Sequence, residues 1–221
     1  MTTSELAGQL LVELIRKSGV REWEEATARE AITSAAWEMA ANITGEGLIM
    51  ALPDYARVTP GTAKTLKSAA GDAALTLTSV ANGAARQSAT LDLGASWAQR
   101  WRIDSDMEIA ATPTTGTTID FHASFNGVTG AGKANTSGSD AAYTGYSSNV
   151  DASVKQLPLI GVHVCTVQAT ATVQKANAGI FFPSGRYLNL VVVNRSGAAL
   201  HSAATNMVVT LTPLDNVIED T

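Results

Sequence analysis

Residues 187–194 (YLNLVVVN) decide the fold, because residues 188–193 are the most concentrated run of aliphatic and β-branched side chains in the chain. Turn-forming residues bound the run on both sides, with PSG at 183–185 and NRSG at 194–197. A run this short between such boundaries predicts a strand rather than a helix. We therefore expect it to be the central, buried strand of a sheet.

Alternation along this strand assigns its side chains to two faces. Leu190 and Val192 are expected to face one side of the sheet, and Val191 and Val193 the other. Because all four side chains are apolar, both sides of the strand are expected to be dry. An aspartate at Val191 or Val192 would then bury an unpaired charge.

Alternating apolar and polar residues predict further strands from about residue 72 onward. The candidate segments, each bounded by Gly, Pro, Asn or Asp, are 74–79, 89–93, 98–103, 108–112, 117–124, 159–166, 169–174, 188–194 and 207–212. No helical pattern separates them. The sequence therefore predicts a mainly β fold, an antiparallel, jelly-roll-like β-sandwich over residues 72–221.

The N-terminal residues 1–45 have a different pattern, in which apolar residues recur at helical spacing. They predict a helical arm of two amphipathic helices that precedes the β domain. The arm either packs on its own β domain or docks on another subunit, and we expect the β domain to fold without it. The predicted partner-contacting residues of the arm are Leu6, Leu10, Leu14, Trp23, Ile32 and Met39.

Two other segments are predicted to be irregular. Residues 46–71 contain Pro53, Pro60 and Gly61 and predict a linker with one short ordered piece. Residues 125–151 are rich in Gly, Ser and Asn and too long for an ordinary connection, so they predict an exposed loop that is mobile or reaches a neighbour. Tyr143 and Tyr146 are the expected anchors of this loop on a partner.

Composition excludes several classes of function. The net charge of −5, without a cluster of Lys and Arg, argues against a nucleic-acid partner. No apolar run is long enough to cross a membrane, and the N-terminus lacks the basic start of a signal peptide. The single cysteine, Cys165, excludes a scaffold of intramolecular disulfides.

The sequence contains partial matches to metal and phosphate sites, and each fails. Residues 127–134 (GVTGAGKA) follow the phosphate-binding loop pattern until Ala134, which has no hydroxyl to bind Mg²⁺. His122, His163 and Cys165 are single residues rather than the repeated pairs of zinc sites, so a buried cysteine and hydrogen-bonded histidines are expected instead. We predict no bound metal and no cofactor.

Catalytic patterns are also weak. The chain has no nucleophile elbow, and the carboxylates Asp104, Asp106 and Glu108 have the spacing of one solvated strand face. The sequence therefore predicts a protein that is not an enzyme. Trp97 and Trp101, with Tyr143 and Tyr146, would be available to stack on sugar rings, which leaves a receptor- or glycan-binding module as the alternative function.

Several strings from about residue 71 to the C-terminus resemble a family of tailed-bacteriophage virion structural proteins. They are ANGAARQS (81–88), LDLG (91–94), GSDAAYTGY (138–146), SVKQL (153–157) and NRSGAALHS (194–202). The resemblance implies a non-enzymatic virion component, such as a capsid decoration, head–tail connector (neck), tail or baseplate protein. It also implies assembly in the host cytoplasm.

The resemblance implies other virion proteins as partners, namely those of the capsid, portal, neck or tail. A homo-oligomer, as a trimer or a ring, is expected as well, because the edge strands and the long loop of one sandwich need cover.

Overall fold

The computed structural model describes residues 57–68, 71–169 and 172–217. Within them, Val58–Val217 form one compact unit whose regular elements are almost all strands. The helical arm over residues 1–45, with its six predicted contact residues, lies outside the described residues, and so does the first part of the predicted linker.

Twelve strands and one short α-helix make up the described chain. In chain order they are β1 (Arg57–Pro60), β2 (Lys64–Lys67), β3 (Ala73–Ala74), β4 (Ala85–Gln87), β5 (Leu91–Asp92), β6 (Trp101–Glu108), β7 (Thr118–Asn126), β8 (Ala141–Tyr143), α1 (Val150–Val154), β9 (Leu159–Val164), β10 (Val173–Phe181), β11 (Tyr187–Arg195) and β12 (Val208–Val217). Two 3-10 turns cover Lys133–Asn135 and Ala204–Asn206.

The strands form two sheets of six strands each. Sheet 1 has the order β10-β6-β12-β2-β3, with β1 also paired to β12, and sheet 2 has the order β8-β4-β11-β7-β9, with β5 also paired to β11. The pairs with assigned register are antiparallel except β2 with β3, which are parallel. The predicted mainly β, antiparallel-rich fold is therefore confirmed.

Strand β11 is the central strand that the sequence predicted, since it pairs with both β4 and β7. Leu190 and Val192 lie in the main core, which the two sheets enclose, whereas Val191 and Val193 lie in a second core on the other face of sheet 2. All four side chains are at most 1% exposed. The predicted division of the faces and their dryness are both confirmed.

The main core joins side chains from both sheets. Sheet 1 supplies Trp101 and Ile103 from β6, while Phe121 comes from β7 of sheet 2. Burial of each large apolar side chain stabilises the fold by about 1.5–3 kcal/mol. The indole nitrogen of Trp101 donates a hydrogen bond to the carbonyl of Ala98 at 2.9 Å, so this ring is buried without leaving its polar group unpaired.

The second core corrects the prediction of an exposed loop over residues 125–151. This segment contains the end of β7, a 3-10 turn, β8 and the start of α1, and it lies on the outer face of sheet 2. Tyr143 is 2% exposed and donates its hydroxyl hydrogen to the carbonyl of Ala134 at 2.6 Å. Arg195 binds Asp120 on β7 and Asp151 on α1, at 3.0 and 2.6 Å, and so ties α1 to the sheet.

The predicted linker over residues 46–71 and several strand limits also need correction. Strands β1 and β2 lie inside this linker, and β2 pairs with β12 in the interior of sheet 1. Strand β6 runs through residues 104–107, where the sequence predicted a break between two strands. Strand β10 begins near the end of its predicted segment and extends to Phe181.

The edge strands β9 and β10 approach each other closely. A Cβ atom on Gly161 of β9 would lie 3.0 Å from the carbonyl oxygen of Ala178, and one on Gly179 of β10 would lie 3.0 Å from that of Ile160. Only glycine allows the backbones to come this near. The edge strands β9 and β10 therefore cover each other. An uncovered edge is thus no reason to expect an oligomer on this side of the sandwich.

Candidate functional site

Exposed apolar side chains concentrate on the neighbouring edge strands β9 and β10 and on the segments that follow them. Eight large hydrophobic residues among those described are more than a third exposed, and five of them lie on β9, on β10 or on the segments directly after these strands. We call these five the apolar side: Leu159, Val164, Val167, Ile180 and Phe182.

The registers explain why these side chains point outward. Leu159 and Val164 pair with His122 and Thr118, which alternate with the core residues of β7. Ile180 pairs with Arg102, which lies between the core residues of β6. The pleat therefore directs these side chains away from the main core on both sheets. Because β9 and β10 approach each other at their glycines, these side chains flank one edge of the sandwich, Leu159 and Val164 on the outer face of sheet 2 and Ile180 on the outer face of sheet 1.

A second surface feature is an open cleft with a volume of about 650 Å³. Three segments of the chain form it: the one before β6, the end of β7 with the glycine-rich residues after it, and the turn before β11. The lining residues are Ala95, Trp97, Phe125, Asn126, Gly127, Val128, Ala131, Lys133, Ser184, Gly185 and Arg186.

Close packing of the backbone fixes the floor of the cleft. A Cβ atom on Gly185 would lie 2.8 Å from the carbonyl oxygen of Asn126, so the turn before β11 rests directly on the end of β7. Beneath it, Phe125 stacks on Phe181 with 6.0 Å between the ring centroids. The backbone N–H of Lys133 donates to Oγ of Ser124 at 2.8 Å, which holds the glycine-rich wall against β7.

The charges in the cleft are cationic. Arg186 binds both carboxylate oxygens of Asp92, at 2.8 and 2.7 Å, and its guanidinium lies 5.1 Å from the centroid of Tyr187. The hydrogen bonds from Arg186 and from the N–H of Gly94 lower the pKa of Asp92 to about 2. Lys133 forms no ion pair with any residue of the described chain. No carboxylate lines the cleft.

The partial phosphate loop at 127–134 directs its backbone donors inward. The N–H of Gly130 donates to Oγ1 of Thr90, that of Gly132 to the carbonyl of Thr136, and that of Lys133 to Ser124. A phosphate site needs such N–H groups to converge on the ligand. This segment is instead bound to its own sheet.

The histidines and the cysteine that the sequence singled out occupy separate structural positions. Nδ1 of His163 lies 2.8 Å from Oγ of Ser105, which makes a hydrogen bond between the two sheets. His122 lies on the outer face of sheet 2 near the carbonyl of Leu157, and Cys165 is buried in the main core. Within the described ranges, no three His, Cys, Asp or Glu residues lie together as metal ligands.

Ser105 and His163 have the distance of a nucleophile and its base, but not the access. Both residues are 1% exposed and lie between the two sheets, and neither of them lines the cleft. The hydrogen bond therefore satisfies two buried polar groups.

Stability should fall when the pH drops below about 6.5, the ordinary pKa of histidine. Burial lowers the pKa values of His163 and His122 in the folded state, against the opposing effects of nearby polar groups and carboxylates. Below the unfolded pKa, the unfolded chain therefore binds protons that the folded chain does not, and acid favours unfolding.

Urea unfolding at pH 7.5 and pH 5 measures this effect. We expect a lower midpoint at pH 5 and a smaller drop in His163→Gln, which keeps a group able to bond Ser105. A midpoint that is equal or higher at pH 5 contradicts the prediction. Below about pH 4, protonation of Asp92, whose folded pKa is about 2, should remove further stability.

The three candidate carboxylates have separate partners. Asp104 binds Arg102 at 2.8 Å, and Asp106 binds Lys175 at 2.7 Å, both at the surface of sheet 1. Glu108 is instead 2% exposed and accepts a hydrogen bond from Asn206 at 2.9 Å. The three carboxylates alternate along one face of β6, as the spacing predicted, but that face is not solvated at Glu108.

The four candidate aromatic residues divide into two pairs. Trp97 and Tyr146 are 37% and 52% exposed, whereas Trp101 and Tyr143 are each 2% exposed. Tyr143 is a member of the second core, so its ring is not a surface anchor for a partner. Of the aromatic residues that the sequence offered for stacking, only Trp97 lines the cleft.

Sequence reasoning missed the apolar side and most of the cleft. Leu159 and Ile180 could have indicated the apolar side, because they are apolar residues at strand positions that alternate with core residues. The cleft had no such signal, because it combines residues that lie almost a hundred positions apart.

No protein-family model matches this chain, and no curated protein matches it at a significant level. Among the described residues, no helix is long and apolar enough to cross a membrane. The function must therefore be argued from the surfaces themselves.

Proposed function

We propose that this chain is a non-enzymatic structural protein of a tailed-bacteriophage particle, which acts by binding copies of itself and other virion proteins. The observation that carries the proposal is the apolar side, with Leu159, Ile180 and Phe182 55%, 55% and 70% exposed. Large exposed apolar side chains that gather along one edge of a fold are typical of protein interfaces. The resemblance in residues 71–221 gives the virion as the setting. In this proposal, the arm over residues 1–45 supplies a second contact with the particle.

We also propose that the fold is a jelly-roll sandwich. Eight of its strands include the pairs β2 with β12, β4 with β11, β6 with β10, and β7 with β9. Numbered from first to last, these eight strands pair first with eighth, second with seventh, third with sixth and fourth with fifth. Rolling up one long antiparallel hairpin gives this order, which is that of a jelly roll. In this reading β1, β3, β5 and β8 are short additions.

The apolar side favours a homo-oligomer over a contact with a strongly charged partner. Its five members are all uncharged, and burying them on a second copy removes apolar area from water on both copies at once. Symmetric self-association is the commonest solution for such a surface. We therefore propose that copies of this chain meet through the apolar side, as a trimer or a larger ring.

Light scattering of the full chain tests the proposed oligomer. We expect the wild type to be oligomeric at micromolar concentration and the variant Ile180→Asp/Phe182→Asp to dissociate at least about 100-fold more readily, because it would bury two charges in the interface. Val128→Asp is the matched control, because Val128 is 69% exposed but lies outside the apolar side.

Two results would contradict the proposal. The first is a wild-type chain that is monomeric in solution and in the particle. The second is a double variant that keeps the wild-type mass and assembly. Circular dichroism of each variant separates a lost interface from a lost fold.

A further inference from the structure

The cleft is distinct from the apolar side and carries its own charge. Its lining includes the cations Lys133 and Arg186 and no carboxylate, although the whole chain has a net charge of −5. A concave site of one charge attracts ligands of the opposite charge. The cleft therefore suits an anion.

The number of available cations limits the charge of that anion. The guanidinium of Arg186 already binds both oxygens of Asp92, which neutralises it. The ammonium of Lys133 is exposed and has no ion-pair partner within the described part of the chain. One available positive charge matches one carboxylate.

A phosphate is a poorer match. Phosphate sites use several converging backbone N–H groups, often beside a cation. In the wall of this cleft, the N–H groups of Gly130, Gly132 and Lys133 donate to groups within the protein instead. The cleft thus offers a phosphate one ammonium and little more.

The rest of the lining suits a ligand with both apolar faces and hydroxyl groups. Trp97 and Val128 are 37% and 69% exposed and form apolar walls, while Ser184 and Asn126 add polar groups near the floor. The C–H face of a sugar ring packs on an indole, and its hydroxyls bond such polar groups. A volume of about 650 Å³ is that of an ordinary small-molecule site.

We infer that the cleft binds a saccharide that carries a carboxylate. Trp97 stacks on a ring of the saccharide, Lys133 binds its carboxylate, and the contact of Gly185 with Asn126 keeps the floor rigid. This binding is independent of the proposed assembly, since none of these residues belongs to the apolar side.

The test is nuclear magnetic resonance titration of the full chain with acidic oligosaccharides, namely sialyllactose, digalacturonate and a hyaluronan tetrasaccharide. Neutral lactose and cellobiose are the comparison ligands. We expect saturable binding of at least one acidic sugar, stronger than that of the neutral ones and weakened by added salt.

Two variants separate the two contacts. Lys133→Gln should weaken binding of the acidic sugar by about tenfold and remove the preference for it over neutral sugars. Trp97→Ala should weaken every sugar that binds by about fivefold or more. Lys155→Gln and Tyr146→Ala are the matched controls, because they remove an exposed cation and an exposed aromatic ring that do not line the cleft.

Three outcomes would overturn the inference. They are the absence of saturable binding for all of the acidic sugars, equal binding to Lys133→Gln, Trp97→Ala and wild type, and stronger binding of a glutamate-rich peptide than of any sugar. The spectrum of each variant is compared with that of the wild type. A spectrum that is unchanged away from the cleft shows that the variant lost the site and kept the fold.

Discussion

Replacing Val192 with aspartate is expected to cost about 4 kcal/mol or more, which is a large fraction of the stability of an ordinary domain. Val192 is 1% exposed in the main core, between the two sheets. Neither sheet can move away from it without exposing the rest of the core. The carboxyl group would therefore be buried without water, and it would take up a proton rather than remain charged.

Val191→Asp is the informative comparison, because Val191 is equally buried but lies in the second core. The cover over that face is a short segment that can lift and let water reach the carboxylate. We expect a smaller loss of stability than for Val192→Asp, with faster hydrogen exchange confined to residues 127–157. Equal losses at the two positions, or an unchanged urea midpoint for Val192→Asp, would contradict the arrangement of the two cores.

Gly138→Ala is expected to cost about 2–4 kcal/mol. Gly138 has a φ of +74°, which disfavours any side chain, and a Cβ atom there would clash with the carbonyl group of Gly130 and lie 2.8 Å from its Cα. That carbonyl accepts a hydrogen bond from Asn189 on β11 at 3.0 Å. A shift of Gly130 would therefore loosen the cover of sheet 2 from its central strand.

Gly116→Ala separates the two contributions. Gly116 has a similar φ of +87°, but no atom would lie within 4 Å of its Cβ. It should cost only about 1 kcal/mol, the conformational part alone. Urea unfolding of both variants gives the difference, which measures the clash. Equal losses of stability in the two variants would contradict the close approach of Gly138 to Gly130.

The sequence predicted strands best where burial imposes a pattern. The run in β11 is apolar on both faces because a core lies on each side, and it was placed correctly together with the direction of its side chains. Strand β7 was also found, since Phe121 and its neighbours alternate. In these strands the local pattern and the tertiary environment agree.

Short strands and the cover of sheet 2 could not be predicted in this way. Strands β2 and β8 have four and three residues, too few to show a period, and β8 lies within a Gly- and Ser-rich stretch that is typical of a loop. Tyr143 gave no sign that its hydroxyl would find a carbonyl nine residues away. Contacts between distant segments decide such cases.

The same limit applies to the two candidate sites. Trp97, Lys133 and Arg186 lie far apart in the sequence, and only the fold brings them to one cleft. Leu159 and Ile180 come to flank the same edge of the sandwich because Gly161 and Gly179 allow two strands to approach. The sequence alone therefore identifies these residues, but not the surface to which the fold brings them.

The position of β12 has a consequence for synthesis. This strand is the last described element of the chain, yet it lies inside sheet 1, between β6 and β2. Its partner Leu66 is separated from Val209 by roughly 140 residues. While the ribosome is still adding residues, the nascent chain has both flanking strands without the strand that joins them. Sheet 1 therefore cannot be completed until β12 has left the ribosome, and until then Leu66 and Ile103 are exposed to chaperones and proteases.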